Sequence, residues 1–227
     1  MYSFDENQVV EGLRLCLENA GKLVQEAGLL YNAGHLERAL SLSVLALEEL
    51  GKLVCINGLA FSLAAGKRGE HSFNYVRRTH QAKLSALYSY PLIIFQFAGL
   101  DEELLQADLD TKKVNRLVQD FYRHLERLEP WIGGVDNLES LNQWKQRALY
   151  VDYDDETGFT VPGGFDPKMV LAVQELAGQM VEGFNSILLV NLGRYREAIR
   201  AIRRTLTQEE FDEIRDYIVQ EIRRVRG

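Results

Sequence analysis

Three short stretches carry side chains able to move protons and hold anions. In Ala46-Leu47-Glu48-Glu49-Leu50-Gly51-Lys52, Glu48 and Lys52 are four residues apart and Glu49 and Lys52 three apart. On a helix that spacing lets the lysine reach either carboxylate. A lysine tuned in this way can meet an anionic substrate, but an internal ion pair that fixes helix packing is the plainer reading, and on this motif alone the better one. In His80-Gln81-Ala82-Lys83, His80 and Lys83 are three apart, with Arg77 at the same step before them. Histidine gives or takes a proton near neutral pH, and neighbouring cations stabilise charge on a transferring phosphate. Cleavage of RNA by its own 2′-hydroxyl needs little more than this, and no metal. The alternative is a histidine bonded to Glu48 or Glu49 as a tie between helices. The third stretch sets Lys145 shortly before Tyr150 and Asp152. Its plain reading is a solvated helix end that docks an aromatic ring on the core.

The elements that must position these groups are helical. The chain has 227 residues, 46% of them apolar and 26% charged, with only four prolines. That is the composition of a soluble globular protein of one large domain or two small ones. The run Ala39–Cys55 is apolar on nearly every side yet holds Glu48, Glu49 and Lys52 in its middle. A helix greasy all round belongs in a core, so these charges must be paired or face a cleft. The spacing predicts a first helix over about Glu6–Tyr31, a glycine turn at Gly34, and a second helix from Leu36 towards Ala65. A third is expected from near Ser72, carrying Arg77, His80 and Lys83 and disturbed at Pro91. A fourth follows Asp101 and ends before Pro130, and a shorter one spans about Asn137–Leu149. Tyr150–Val161 reads as a β-hairpin. Asp166-Pro167 opens a helix running to about Asn191, and two more helices follow from Arg194, the second behind the capping box Thr207-Gln208-Glu209-Glu210. The expected class is all-α: a helical domain over residues 1–193 with a C-terminal helical appendage over 194–227.

Several chemistries are not expected. The net charge of −7 speaks against a wholly basic nucleic-acid surface, though not against a local basic site. Cys16 and Cys55 lack zinc spacing and read as buried thiols in a reducing compartment. The acidic run from Asp152 to Glu156 fails the calcium-loop pattern, which needs glycine at Thr157 and glutamate at Gly163. No metal and no cofactor are expected. The N-terminal residues lack a signal-peptide pattern, and the uncharged run Leu84–Leu100 is short for a membrane span and broken by Pro91, so a cytoplasmic protein with no membrane partner is expected. Arg194, Arg196, Arg200, Arg203 and Arg204 form a stripe that the acidic residues after Thr207 can neutralise. Two segments, from Gly34 and from Gly193, look like the opening helix of a tetratricopeptide repeat, but nothing between them repeats with that period.

Taken in order, Ala46–Lys52, His80-x-x-Lys83 and Lys145 through Leu149-Tyr150-Val151-Asp152 resemble the AbiV-like abortive-infection proteins, a bacterial family of the HEPN superfamily. The resemblance spans roughly Asn7–Pro162. It implies an α-helical bundle, often a homodimer, acting in phage defence, with RNA and a phage-encoded activator among its partners. Many HEPN domains are metal-independent endoribonucleases marked by an arginine, four to six residues, then a histidine. This sequence lacks that signature: Arg77 precedes His80 by three and Arg116 precedes His124 by eight. For RNA cleavage the expected catalytic set is His80 as acid or base, Lys52 and Lys83 on the phosphate, and Glu49 orienting them. Arg77, Glu48, Lys145, Tyr150 and Asp152 are expected to line the substrate site. The competing expectation is a non-catalytic helical scaffold that acts through a phage or host partner. An enzyme needs these groups to converge on an open cleft; a scaffold would bury them in mutual ion pairs and bind through an exposed patch.

Overall fold

The computed structural model describes residues 5–64, 79–94, 111–155, 158–189 and 192. The described residues include the helices α1 Glu6–Asn32, α2 Leu36–Ala64, α3 His80–Ala86, α4 Thr111–Ile132, α5 Ser140–Leu149 and α6 Pro167–Phe184, and a helical stretch over 90–94. A two-stranded antiparallel hairpin, β1 Asp152–Asp154 and β2 Gly158–Thr160, sets Tyr153 opposite Phe159. The all-α class expected from the sequence is the class observed. The C-terminal appendage, its arginine stripe and its capping box lie outside the described residues, as do the starts expected near Ser72 and Asp101.

α2 is the spine. α1, α3, α5 and α6 all pack on it. Its buried face includes Ala39, Leu40, Val44, Ala46, Leu47, Leu50 and Leu53. Ser41 and Ser43 are buried there too, and each hydroxyl donates to the carbonyl four residues back, at 2.8 and 2.9 Å. A buried hydroxyl that bonds within its own helix has no polar debt to the core. α1 starts at a reciprocal cap: Asp5 accepts from the Gln8 amide at 2.8 Å and Gln8 accepts from the Asp5 amide at 2.9 Å. It ends in the expected turn, where Gly34 takes φ +81°.

The α2–α3 crossing is unusually close. A Cβ on Gly51 would fall on the Lys83 carbonyl. Gly51 therefore lets two backbones touch, and so fixes where Glu48, Glu49 and Lys52 stand relative to His80 and Lys83. Beyond α3 the chain tightens into a 3₁₀ turn, Leu87–Ser89, and is α-helical again over 90–94, where Pro91 lies in the first turn and its missing amide costs no bond. Tyr90 then fills the core between Phe121 of α4 and Phe184 of α6, with ring centroids 5.1 and 5.0 Å away. Gly183 leaves room for its hydroxyl. Burial pushes the Tyr90 phenol well up from its ordinary range.

Four expected boundaries shift. α4 does not stop before Pro130 but runs through it to Ile132. Its apolar face, Val114, Leu117, Phe121, Leu125, Leu128 and Ile132, is buried to the last turn, and that packing outweighs the one hydrogen bond the proline cannot make. α5 begins at Ser140 rather than near Asn137. The Asn137 amide side chain donates to the Ile132 carbonyl at 2.7 Å, and the Leu138 amide donates to the Tyr88 hydroxyl at 2.8 Å, so the intervening chain is held in turns. α3 begins at His80, because Thr79 is extended at φ −114°, ψ 114°. Arg77 lies outside the described residues, and the helix that carries His80 does not extend back through Thr79. The helix expected to reach Asn191 ends as α6 at Phe184 and passes into a π-helical turn, Asn185–Leu189.

Gly51→Ala measures the closeness of the α2–α3 crossing. Alanine is the better helix former by about 1 kcal/mol. Despite this, the variant is expected to lose about 1–3 kcal/mol in urea unfolding, because its methyl group meets backbone rather than a yielding side chain. A variant as stable as wild type would show that the helices do not touch there.

Candidate active site

The site is assembled on α2 by two helices from distant parts of the chain. α2 supplies Glu48, Glu49 and Lys52, α3 supplies His80 and Lys83, and α5 supplies Lys145. Glu48 is 3% exposed, and Lys145, 97 residues further on, is 5% exposed. The Lys145 ammonium is paired with Glu48 Oε1. The other carboxylate oxygen, Oε2, lies 2.6 Å from His80 Nδ1, and Lys145 Nζ is 3.1 Å from the same ring nitrogen. Lys145 and His80 thus share one buried carboxylate.

That geometry selects a tautomer. Two contacts compete for Nδ1: the Lys145 ammonium, a donor at 3.1 Å, favours a bare nitrogen, and the Glu48 carboxylate, an acceptor at 2.6 Å, favours a protonated one. The shorter, charge-assisted contact is the stronger, and it assigns the proton to Nδ1, donated to Glu48. Lys145 already balances the charge of Glu48, so the carboxylate can stay buried without a second cation. The His80 side chain is 48% exposed. With Nδ1 committed inward, Nε2 is the nitrogen left to an outside group. A histidine gripped at one nitrogen by a buried carboxylate and open at the other has the geometry that proton transfer requires.

A second pair stands beside the first. Lys52 is paired with Glu49, one turn of α2 apart, and both side chains are about three-quarters or more covered. Lys83 is 7% exposed, and no carboxylate among the described residues is in salt-bridge contact with it. Burial lowers its pKa from the ordinary lysine value; Glu48 and Glu49 pull it back up, while Lys52 and Lys145 add to the lowering. Cys16 of α1 sits against this group beside Glu49, and burial pushes its thiol up to about 11. Burial does the same for Cys55, also to about 11, so both are protonated, unreactive thiols at neutral pH. Among the described residues no cluster of histidine, cysteine and carboxylate groups could hold a metal ion.

The structure brings together six of the nine residues singled out in the sequence: Glu48, Glu49, Lys52, His80, Lys83 and Lys145. Glu48 and Lys145, expected on the substrate side, instead face each other in the core. Tyr150, at the end of α5, is 64% exposed and makes no part of this cluster. Asp152 opens β1 on the hairpin that follows. Arg77 lies outside the described residues. Sequence reasoning missed the brace that sets α5 against α3, in which the Tyr88 hydroxyl accepts from the Leu138 amide and the Ser85 hydroxyl bonds to Glu139. Single hydroxyls in an apolar run give no signal of such partners.

The buried pair makes a testable energetic claim. Lys145→Met strands the Glu48 carboxylate in the core and is expected to cost about 3–5 kcal/mol, whereas Glu48→Gln with Lys145→Met should recover most of that loss. Thermal and urea unfolding of the singles and the double decide it; a Lys145→Met protein of wild-type stability would mean the pair is solvated.

Among known proteins, the chain matches the family model HEPN_AbiV, described as AbiV, over residues 8–179. No curated protein and no solved structure matches it. The matched span takes in α1, the Glu48–Lys52 motif, His80, Lys83, Lys145 and most of α6. Together with the all-α fold, that match over most of its length shows that the chain belongs to the AbiV family of HEPN proteins, a family of phage defence by abortive infection.

Proposed function

We propose that this chain defends against phage as a metal-independent endoribonuclease in which His80 is the proton-transfer group. The observation that carries the reading is the Nδ1 grip: His80 is bonded at 2.6 Å to a carboxylate that Lys145 keeps buried and charged, and the ring is half open to solvent. In the proposed reaction neutral His80 takes the proton of an RNA 2′-hydroxyl on Nε2. The 2′-oxygen attacks the adjacent phosphorus, the bond from phosphorus to the 5′-oxygen breaks, and a 2′,3′-cyclic phosphate forms. Glu48 orients the ring and supports the imidazolium as it forms. Lys52, oriented by Glu49, and Lys83 place positive charge beside the phosphate. Glu48 and Lys145 act through His80 and do not touch RNA. A homodimer would set two such clusters at one interface and suits this chemistry.

A second reading is a helical protein that works by binding a partner. It is favoured by the hairpin region, where Tyr150, Val151, Phe159 and Val161 are all exposed. Large apolar side chains gathered at a surface mark contact sites.

Cleavage of total cellular RNA by purified protein in EDTA separates the two. Wild type is expected to cut, and His80→Ala to lose about 10²-fold or more in rate. The variant should keep its fold, because Glu48 retains Lys145. Full cleavage by His80→Ala would remove His80 from the chemistry; no cleavage by either protein would favour the binding reading.

A further inference from the structure

The reaction drawn above leaves one proton unassigned: the departing 5′-oxygen must gain one. His80 cannot supply it in the same step, because it is taking the proton of the 2′-hydroxyl. Lys83 stands three residues along the same helix, so it shares a face with His80. Its backbone is fixed by the contact of its carbonyl with Gly51. It is 7% exposed, and no described carboxylate is in salt-bridge contact with its ammonium. Lys52, by contrast, is committed to Glu49, and Lys145 to Glu48.

We propose that Lys83 is the general acid of this site, the second proton-transfer group working opposite His80. The inference rests on the ribonuclease reading. The ledger of the step is closed. The 2′-oxygen to phosphorus bond forms as the phosphorus to 5′-oxygen bond breaks. The 2′-hydroxyl proton passes to His80 Nε2, and a proton of Lys83 Nζ passes to the 5′-oxygen. The step ends with an imidazolium and a neutral amine, and exchange with solvent restores both.

The surroundings of Lys83 suit that role. The charged and titratable groups about it are Cys16 from α1, Glu48, Glu49, Lys52 and Cys55 from α2, Lys145 from α5 and His80 from its own helix. Two carboxylates are each matched by a lysine, and both thiols are protonated, so burial is the largest influence on the amine. Burial favours the neutral form and makes proton release easier than from an ordinary lysine. The acid must be protonated to act. Activity should therefore fall as pH rises through a value below 10.5, the usual lysine figure.

The test compares two short single-stranded RNAs, one with the natural 5′-oxygen at the scissile bond and one with sulfur in its place, a leaving group that needs no proton. With Lys83→Arg, which keeps the charge but does not release it, natural RNA is expected to be cut about 10²-fold more slowly, while the thio linkage is cut within about threefold of wild type. The alkaline fall in wild-type rate on natural RNA should be absent for the thio linkage. Lys83→Met, which fits apolar walls but also removes the charge beside the phosphate, should slow both RNAs and the natural one by far the more, and serves if arginine disturbs the fold. Equal loss on both RNAs, or no loss on either, would overturn the assignment of Lys83 while leaving His80 in place. Wild-type protein that cuts neither RNA would overturn the ribonuclease reading and this inference with it.

Discussion

The structure depends on one buried carboxylate. Glu48 lies in the middle of the most apolar helix, at 3% exposure, where an unpaired charge would be prohibitive. Lys145 makes that position tolerable by bringing a cation from α5, and α5 can reach α2 only because the chain from Ile132 to Ser140 folds back in tight turns held by Asn137 and Tyr88. Much of the architecture around α2 can be read as the means of closing this pair. α3 lies close enough for His80 to share the carboxylate because Gly51 has no side chain. The aromatic cluster of Tyr90, Phe121 and Phe184 anchors the far end of that same segment.

A buried ion pair is a poor investment if stability is the only return, since apolar residues of equal volume do as well or better. Its return here is orientation. Glu48 offers one oxygen to Lys145 and the other to His80, so the imidazole is held at one nitrogen by a partner that cannot drift into solvent. The neighbouring Lys52–Glu49 pair and the enclosed Lys83 complete a patch in which every described carboxylate has a cation and one amine is left over. That surplus positive charge suits the phosphodiester site proposed here.

Much of this was legible in the sequence, and the parts that were not share a cause. The long helices were readable because their apolar periodicity is strong and their ends carry local signals, Asp5 with Gln8 for α1, Gly34 after it, and Asp166-Pro167 for α6. The charged residues of α2 stood out because they contradict their apolar surroundings. The His80 tie to Glu48 was among the readings, but the longer pairing to Lys145 was not. Spacing let Lys52 reach either Glu48 or Glu49; the fold gives Lys52 to Glu49 and gives Glu48 to Lys145, 97 residues away. Local rules also placed a stop before Pro130 and a start near Asn137, and tertiary packing of Ile132 and the Tyr88 hydrogen bond overrode them. Gly51 was visible in its motif, but nothing local says that a glycine in mid-helix marks another backbone passing over it.

The central claim is that Glu48 fixes the proton of His80 on Nδ1 and leaves Nε2 open, and the most direct measurement is the tautomer itself. Nitrogen-15 NMR of the histidine side chains, at a pH where His80 is neutral, distinguishes a protonated from a bare ring nitrogen. The account predicts a protonated Nδ1 and a bare Nε2 in the wild-type protein, and loss of that preference in Glu48→Gln. A wild-type His80 with its proton on Nε2, unchanged by Glu48→Gln, would contradict it.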